Sequence, residues 1–427
     1  MQRDDIGLKV LDLLENTNQS FFLTGKAGTG KTTLIKHFIE TTEKNVLVLA
    51  PTGIAALNAN GQTIHSLFKF SPKTTRESVK EVFGENRNLI IEADVIIIDE
   101  ISMVRADLMD MIDISLCKNT WKREKKFWWK QIVLVGDMYQ LPPVFEFKET
   151  DVVRNFNCYY QTKYFFSALT FANDGWFKRP VIELTKIYRQ EDWVFKDILN
   201  EIRDWSVSHT SLEKLNTRVW IDLWANTIHL TTLNRMAEKI NQEKLQEIKK
   251  NSTIYEAIFF WNKITNLSQM EDTLLVKPWA QIMMLNNTEF RRNWTIWKYI
   301  WWIDEDMCIV NIDWNDYTVE KYEQELVIPY IDLWSKKIEY REIWKMIQFP
   351  FKLARAISIH KAQWSTFDKL EIDLWTWAFD AWQTYVALSR VRTFEWLSLT
   401  RPVTLRDVII DEDIKEFFDN HKLAENE

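Results

Sequence analysis

Short apolar runs separated by polar or glycine-containing loops dominate the first 185 residues. Phe21–Thr24, Val46–Ala50, Val95–Ile98, Ile132–Val135 and Val181–Leu184 are each too short for a helix and rich in β-branched and aromatic side chains, which predicts strands. Helix-compatible stretches such as TTLIKHFIE (32–40) lie between them, so the alternation predicts a parallel α/β sheet. Each predicted strand ends in a polar or glycine-containing loop, the edge where ligands of open α/β sheets gather. From about 190 to 255 the pattern turns helical (VFKDILNEIRD, NRMAEKINQEKLQEIKK). From about 273 to 345 it becomes β-like with close turn signals, which predicts a small β-barrel-like insertion. Alternation resumes at Phe351, with a strand over Leu370–Leu374 and a helix around Gln383–Val391. The tail DEDIKEFFDNHKLAENE predicts a charged, solvated helix. The shifts predict two α/β domains, 1–185 and 186–427, the second carrying the insertion. No internal repeat or low-complexity linker separates them.

At 427 residues the chain has room for two or three cores. The net charge of −7 excludes a global positive field, so any nucleic acid must be met by local basic grooves. Lys118, Lys122, Arg123, Lys125 and Lys126, and Arg291 with Arg292, are such clusters, although a charge run is more often a solvated face. The start MQRDDIGLKVLDLLEN is charged and amphipathic, and no stretch reaches the apolar length of a membrane span. Cys117, Cys158 and Cys308 are distant and odd in number, so neither a disulfide framework nor a zinc site is indicated. The expectation is a soluble, cytoplasmic protein.

One compositional feature is abnormal: the chain has 22 tryptophans and 9 glycines. Glycine averages about 7% of residues, which would give roughly 30 here. After Gly175 there is none, while most of the tryptophans lie beyond that point. Several occupy turn-like contexts, as in Asn293-Trp294 and Asp313-Trp314, and Trp128-Trp129 directly precedes a predicted strand. The expectation is that many of these positions are glycine in the natural protein, a UGA codon having been read under the wrong genetic code. The alternative is a truly tryptophan-rich protein, and an intact mass separates the two.

Residues 25–32 read GKAGTGKT directly after the apolar run Phe21-Phe22-Leu23, the G-x-x-x-x-G-K-[ST] pattern of a polyphosphate-binding loop. Gly25, Ala27, Gly28, Thr29, Gly30, Lys31, Thr32 and Thr33 would form the cradle. Backbone N–H groups and the following helix dipole face the phosphates, Lys31 reaches the β/γ-phosphates, and the Thr32 hydroxyl is placed for Mg²⁺. In DVIIIDEISM (94–103) a buried strand delivers Asp99 for the metal and Glu100 to polarise the attacking water. In IVLVGDMYQLPPV (132–144) the Gln140 amide can sense the γ-phosphate. In APTGIAALNANGQTIHSLF (50–68), Pro51, Thr52, Gly53, His65 and Ser66 offer groups suited to the phosphates of a single strand, with Phe68 available for base stacking.

The ordered set GKAGTGKT, APTGIAA, TIHSLF, IIIDEISM and GDMYQLPPV resembles the petite-integration-frequency helicases, the 5′→3′ branch of superfamily 1. LTKIYRQ (184–190), ISIHKAQWSTFDKLEIDL (357–374), QTYVALSRVR (383–392) and the segment EISMVRADLMDMID extend the resemblance over roughly residues 20 to 400. RecD-type helicases share several motifs but match TIHSLF and the last segment less well. The resemblance implies two RecA-like lobes with ATP between them and single-stranded DNA across both. It implies that Arg189 and Arg390 reach the triphosphate from the second lobe, that Gln363 lies on the nucleotide side, and that His360 and Lys361 face DNA. It implies a monomeric motor acting on single strands and on forked or tailed duplex. Similar sequences carry glycine at Trp279, Trp294, Trp297, Trp364, Trp382 and Trp396. The adenine-reading glutamine is not evident, since neither Gln2 nor Gln19 is convincingly spaced. The competing reading is a nucleotide-dependent switch that does not translocate; acceleration of ATP turnover by single-stranded DNA discriminates.

Overall fold

The computed structural model describes residues 5–425 apart from 27, 72, 121–129, 144–155, 173–179, 187–191, 224–225, 261–267, 269, 287–294, 313, 364 and 375–380. The chain forms two compact units. The first comprises residues 1–189, 327–342 and 411–427, and the second comprises 190–326 and 343–410.

In the first unit, β1 (Phe21–Gly25), β2 (Val46–Ala50), β3 (Gln62–Thr63), β4 (Val95–Ile98), β5 (Gln131–Val135) and β6 (Val181–Leu184) form one parallel sheet. Their order is β3-β2-β4-β5-β1-β6. β1, β2, β4 and β5 are buried at every position, which is why they read as unbroken apolar runs rather than as alternation. Helices Asp5–Asn16 and Lys31–Thr41 seal one core with Val10, Leu14, Leu34, Ile35 and Phe38 against the sheet. The registers Phe22↔Leu134 and Ile97↔Val133 carry the ends of β1, β4 and β5 to a common edge.

The tail is a helix, Glu412–Glu425, but not a solvated one. Ile414, Phe417 and His421 are buried, and Phe417 stacks on Phe166 with centroids 4.5 Å apart. Tyr164 fastens its start by donating to Asp411 at 2.6 Å. The charge density masked an apolar stripe at three-to-four-residue spacing.

In the second unit, β7 (Ile228–Thr231), β18 (Ala356–Ser358), β19 (Leu370–Asp373) and β20 (Leu397–Leu399) form a parallel sheet in the order β18-β7-β19-β20. Between β7 and β18 lies the β-rich insertion: β8 (Thr253–Glu256), β9 (Ile258–Phe260), β10 (Thr273–Val276), β11 (Gln281–Met284), β12 (Ile296–Trp302), β13 (Met307–Ile312), β14 (Asn315–Glu320), β15 (Tyr322–Ile331), β16 (Ile338–Gln348) and β17 (Phe351–Leu353). It begins at Thr253 rather than near 273. The expected barrel is not closed among the described residues. The strands form sheets ordered β14-β13-β12-β11-β17, β15-β16-β9 and β10-β8, and the edges β14 and β17 do not pair with each other. Tyr255, Leu274, Trp297, Tyr299, Val310 and Phe349 fill a core of their own. The turn end of the β15–β16 hairpin belongs to the first unit, where Asn45 holds it through the Lys336 carbonyl (2.8 Å) and the Ile338 N–H (3.0 Å).

Across β7 and β19, His229 lies 2.7 Å from Glu371 and 3.6 Å from Asp373. Burial lowers the imidazole pKa, but the two carboxylates outweigh it and raise the pKa to about 9. A folded-state pKa above the unfolded value stabilises the fold fully below about pH 6.5, and the contribution is lost as pH rises through 9. Unfolding free energies from urea titrations at pH 6 and pH 10 should therefore differ by up to about 3 kcal/mol more for the native chain than for His229→Gln. Equal pH dependence of the two would remove the role.

Among the described residues ten non-glycines have left-handed φ, and five are tryptophans: Trp205, Trp220, Trp279, Trp314 and Trp382. That conformation costs a side-chain-bearing residue roughly 1–2 kcal/mol, so five together approach the whole stability of a typical domain, about 5–15 kcal/mol.

Candidate nucleotide and nucleic-acid sites

β1 delivers the chain to Gly25, whose φ is 149°. A Cβ there would meet the Leu184 carbonyl oxygen at 2.7 Å and the Thr29 hydroxyl at 2.9 Å, so only glycine lets β6 pack beside the loop. Gly28 (φ 81°) and Gly30 (φ 88°) turn the backbone, and Gly30 opens the helix Lys31–Thr41. The ammonium group of Lys31 donates to the carbonyls of Gly25 (2.6 Å) and Lys26 (3.2 Å), folding it across the loop. Thr32 and Thr33 are exposed on the first helical turn. Ala27 lies outside the described residues.

β4 is extended by the Asp99 N–H, which donates to the Leu49 carbonyl at 2.8 Å. Asp99 accepts from the Glu100 N–H at 2.9 Å. Burial pushes its carboxyl pKa up, against lowering by the Glu100 N–H and the Lys31 and Lys36 cations. Glu100 itself is held at φ 51°, ψ 46°, a left-handed strain of the kind that collects at functional sites. The next strand makes a parallel exit. The Gly136 N–H donates to the Leu23 carbonyl at 3.1 Å, and a Cβ on Gly136 would stand 2.9 Å from the Ile101 side chain. Glycine therefore lets the β5 exit lie against the turn that follows Glu100. Asp137 accepts from Gln140 Nε2 at 3.2 Å and from the Tyr139 N–H at 3.1 Å. Lys31, Asp99, Glu100 and Gln140 thus follow the carboxyl ends of the three adjacent strands β1, β4 and β5.

Beside them, Thr52 caps the helix Gly53–Asn58 and Thr63 caps Ile64–Phe68, and Pro51 follows β2 directly. Ser66 accepts from Gln62 at 3.0 Å. Partial loss of solvation and then the Arg105 guanidinium lower the His65 imidazole pKa, against a smaller opposing pull from Asp107, while the residue stays exposed. Phe68 departs from expectation. It is 2% exposed and stacks on Phe70 at 5.4 Å, so its ring fills the core and is not available to a base.

In the second unit the chain leaves β18 into a turn bearing half-buried His360, exposed Lys361 and buried Gln363. Arg390, 1% exposed, donates to the Gln363 carbonyl, to the Val386 carbonyl at 3.0 Å and to the Ser389 hydroxyl at 2.7 Å. The structure thus joins Gln363 and Arg390, which sequence motifs named separately. Arg189, Trp364 and Gln2 lie outside the described residues. Gln19 precedes β1, at the sheet edge opposite the loop, and its carbonyl is pinned by Gln131 at 2.9 Å.

Sequence reasoning missed one hub. Asp110, 2% exposed, accepts from Tyr160 (2.7 Å) and from the N–H groups of Thr170 (2.8 Å) and Leu169 (3.2 Å), with Arg76 at 3.4 Å. It sits in the DLMDMID run. An acid among apolar residues on a helix was the available signal.

Among the described residues there is no cluster of three or more metal-ligating side chains and no helix long and apolar enough to cross a membrane. The model of PIF1-like helicases matches residues 4–213. The chain is 30% identical to the ATP-dependent DNA helicase Pif1 of Bdellovibrio bacteriovorus over 96% of this chain and 90% of that protein. It is 27% identical to the ATP-dependent DNA helicase RRM3 of Saccharomyces cerevisiae over 96% of this chain and 66% of that protein. A solved structure of Bacteroides sp Pif1 in complex with ADP-AlF4 is similar with TM-score 0.86 and 31% identity, over 99% of this chain and 98% of that one. Bacteroides Pif1 bound to ssDNA gives 0.70 and 32%, over 100% and 98%. Full-length identity at this level, joined to the strand-end arrangement above, establishes that the chain belongs to the PIF1-like helicase family.

Proposed function

We propose that the chain is an ATP-dependent DNA helicase that moves 5′→3′ on single-stranded DNA and unwinds forked or tailed duplex. The observation that carries this is the convergence of the phosphate loop, the acidic pair and the sensor turn at the ends of three adjacent strands. Lys31 and the loop N–H groups bind the phosphates. Glu100 orients and deprotonates the attacking water, and Gln140 reports the γ-phosphate through its hydrogen bond to Asp137. Asp99 and Thr32 supply hard oxygen donors of the kind Mg²⁺ takes, and a carboxylate pushed up by burial is one that a dication stabilises. When bound, Mg²⁺ neutralises charge developing on the β- and γ-oxygens.

Arg189 and Arg390 are the guanidiniums assigned to the transferring phosphoryl group. For Arg390 that role requires exchanging its bonds to Gln363 and Ser389 for bonds to phosphate, which links hydrolysis to rearrangement of the 360–365 turn. Pro51, Thr52, Gly53, His65, Ser66, His360 and Lys361 are assigned to the sugar-phosphate backbone, with little base readout. One copy contains every assigned group, so a single chain is the proposed motor. The test is ATP turnover with and without single-stranded DNA, joined to unwinding of duplexes tailed at either end. Stimulated turnover with unwinding only from the 5′ tail is expected. Turnover indifferent to DNA overturns the motor reading.

A further inference from the structure

We propose that Trp205, Trp220, Trp279, Trp314 and Trp382 are glycines in the natural protein, encoded by UGA codons that specify glycine. Composition raised the idea, but backbone geometry carries it. Five of the twelve described tryptophans are left-handed, against five of all other described non-glycine residues. Three sit where a standard local motif calls for glycine. Trp205 follows the helix Trp193–Arg203, and the Ser206 N–H donates back to the Glu201 carbonyl at 2.9 Å. That is a Schellman ending, with Trp205 at its left-handed C′ position. Lys277-Pro278-Trp279-Ala280 is closed by the Ala280 N–H donating to the Lys277 carbonyl at 2.9 Å, and Trp279 has φ 74°. Proline then a left-handed residue is the type II turn, whose third position takes glycine. Trp314, with φ 68°, lies between the paired strand ends Ile312↔Asn315 of β13 and β14, and the residue before it in the sequence is aspartate. Asp-Gly is among the strongest signals for such a two-residue hairpin loop.

Packing does not explain four of these side chains, since Trp205, Trp220, Trp279 and Trp314 are all exposed. Trp220 is 80% exposed and Trp314 96% exposed. Trp382, which is buried, begins the helix Gln383–Leu388 two turns before Arg390 with φ 63°. A glycine there relieves strain inside the candidate site.

Peptide mass spectrometry on protein from the source cells, with the gene sequence beside it, tests the proposal. Glycine at all five positions over UGA codons is expected, and tryptophan at any of them overturns it. A recombinant comparison tests the physical ground. Trp205→Gly, Trp220→Gly, Trp279→Gly and Trp314→Gly together should raise the thermal midpoint by about 10 °C. The same four changed to Ala should not, because alanine keeps the left-handed penalty. A glycine set no better than the alanine set overturns the argument.

A second, independent observation concerns the end of the chain. The geometry points to Phe418 as a positioning residue for Gln140. Its ring stacks on Tyr139 at 5.4 Å with 10° between planes, and Tyr139 shares the Asp137-centred turn with Gln140. Phe417 and Asp411 fasten the same helix to the first unit, so the stack has a rigid base. This rests on the sensor assignment of Gln140. Phe418→Ala should lower kcat for ATP about tenfold, with KM for ATP and the melting temperature unchanged and activity restored in Phe418→Tyr. Unchanged kcat, or kcat falling only with the melting temperature, overturns it. Gln140→Ala separates the two readings: full turnover there sinks the sensor assignment itself.

Discussion

Lys31→Ala is expected to lower DNA-stimulated ATP turnover by about 10³-fold or more while leaving the fold intact. Removing one preorganised donor from a site of developing charge costs roughly 10²–10³ in rate, and Lys31 also contributes to holding the triphosphate. Its ammonium group reaches back over the loop to Gly25 and Lys26, so it stands at the mouth of the cradle rather than in the core. The loop's shape rests on Gly25, Gly28 and Gly30, which the substitution leaves unchanged. Steady-state turnover at saturating single-stranded DNA, with a melting curve as the control, checks this. Retained turnover in a folded variant refutes the assignment of the loop.

Arg390→Ala is expected to spare ATP binding and reduce hydrolysis by about 10³-fold, the lower end for loss of an arginine finger. Two effects are combined here, and a second variant separates them. Arg390 is fully buried and ties Gln363 to the helix Gln383–Leu388, so truncation also loosens the 360–365 turn. Arg390→Lys keeps the charge but cannot reach three acceptors in a planar fork. A lysine variant with native melting behaviour and slow single-turnover hydrolysis assigns the loss to phosphoryl-group chemistry. Native hydrolysis rates in both variants remove the finger role.

Some of this protein is written in short range. β1, β2, β4 and β5 were legible because parallel strands buried on both faces must be continuous apolar runs, and Phe21–Gly25 or Val95–Ile98 has no other way to be buried; the two-residue β3, Gln62-Thr63, carries no such run and was not predicted. The phosphate loop was legible because its chemistry needs glycines and a lysine at fixed offsets. Phe68 misled because an aromatic after polar groups looks the same on the sequence whether it faces solvent or Phe70. The barrel expectation failed for a related reason: alternation and turns specify antiparallel pairs, but not whether the outer edges β14 and β17 meet.

The ends of the buried strands, the residues exported from them and the family they imply were thus readable from the chain, since each depends on neighbours a few positions away. The tryptophan anomaly was readable too, because composition is independent of the fold. The folded chain was needed to see which tryptophans are left-handed, that Gln363 and Arg390 touch, that Asp110 gathers donors from Tyr160, Leu169 and Thr170, and that Phe418 reaches Tyr139. Those contacts join residues from 27 to nearly 280 positions apart. They are fixed by burial and close packing of whole elements, which periodicity along the chain does not encode.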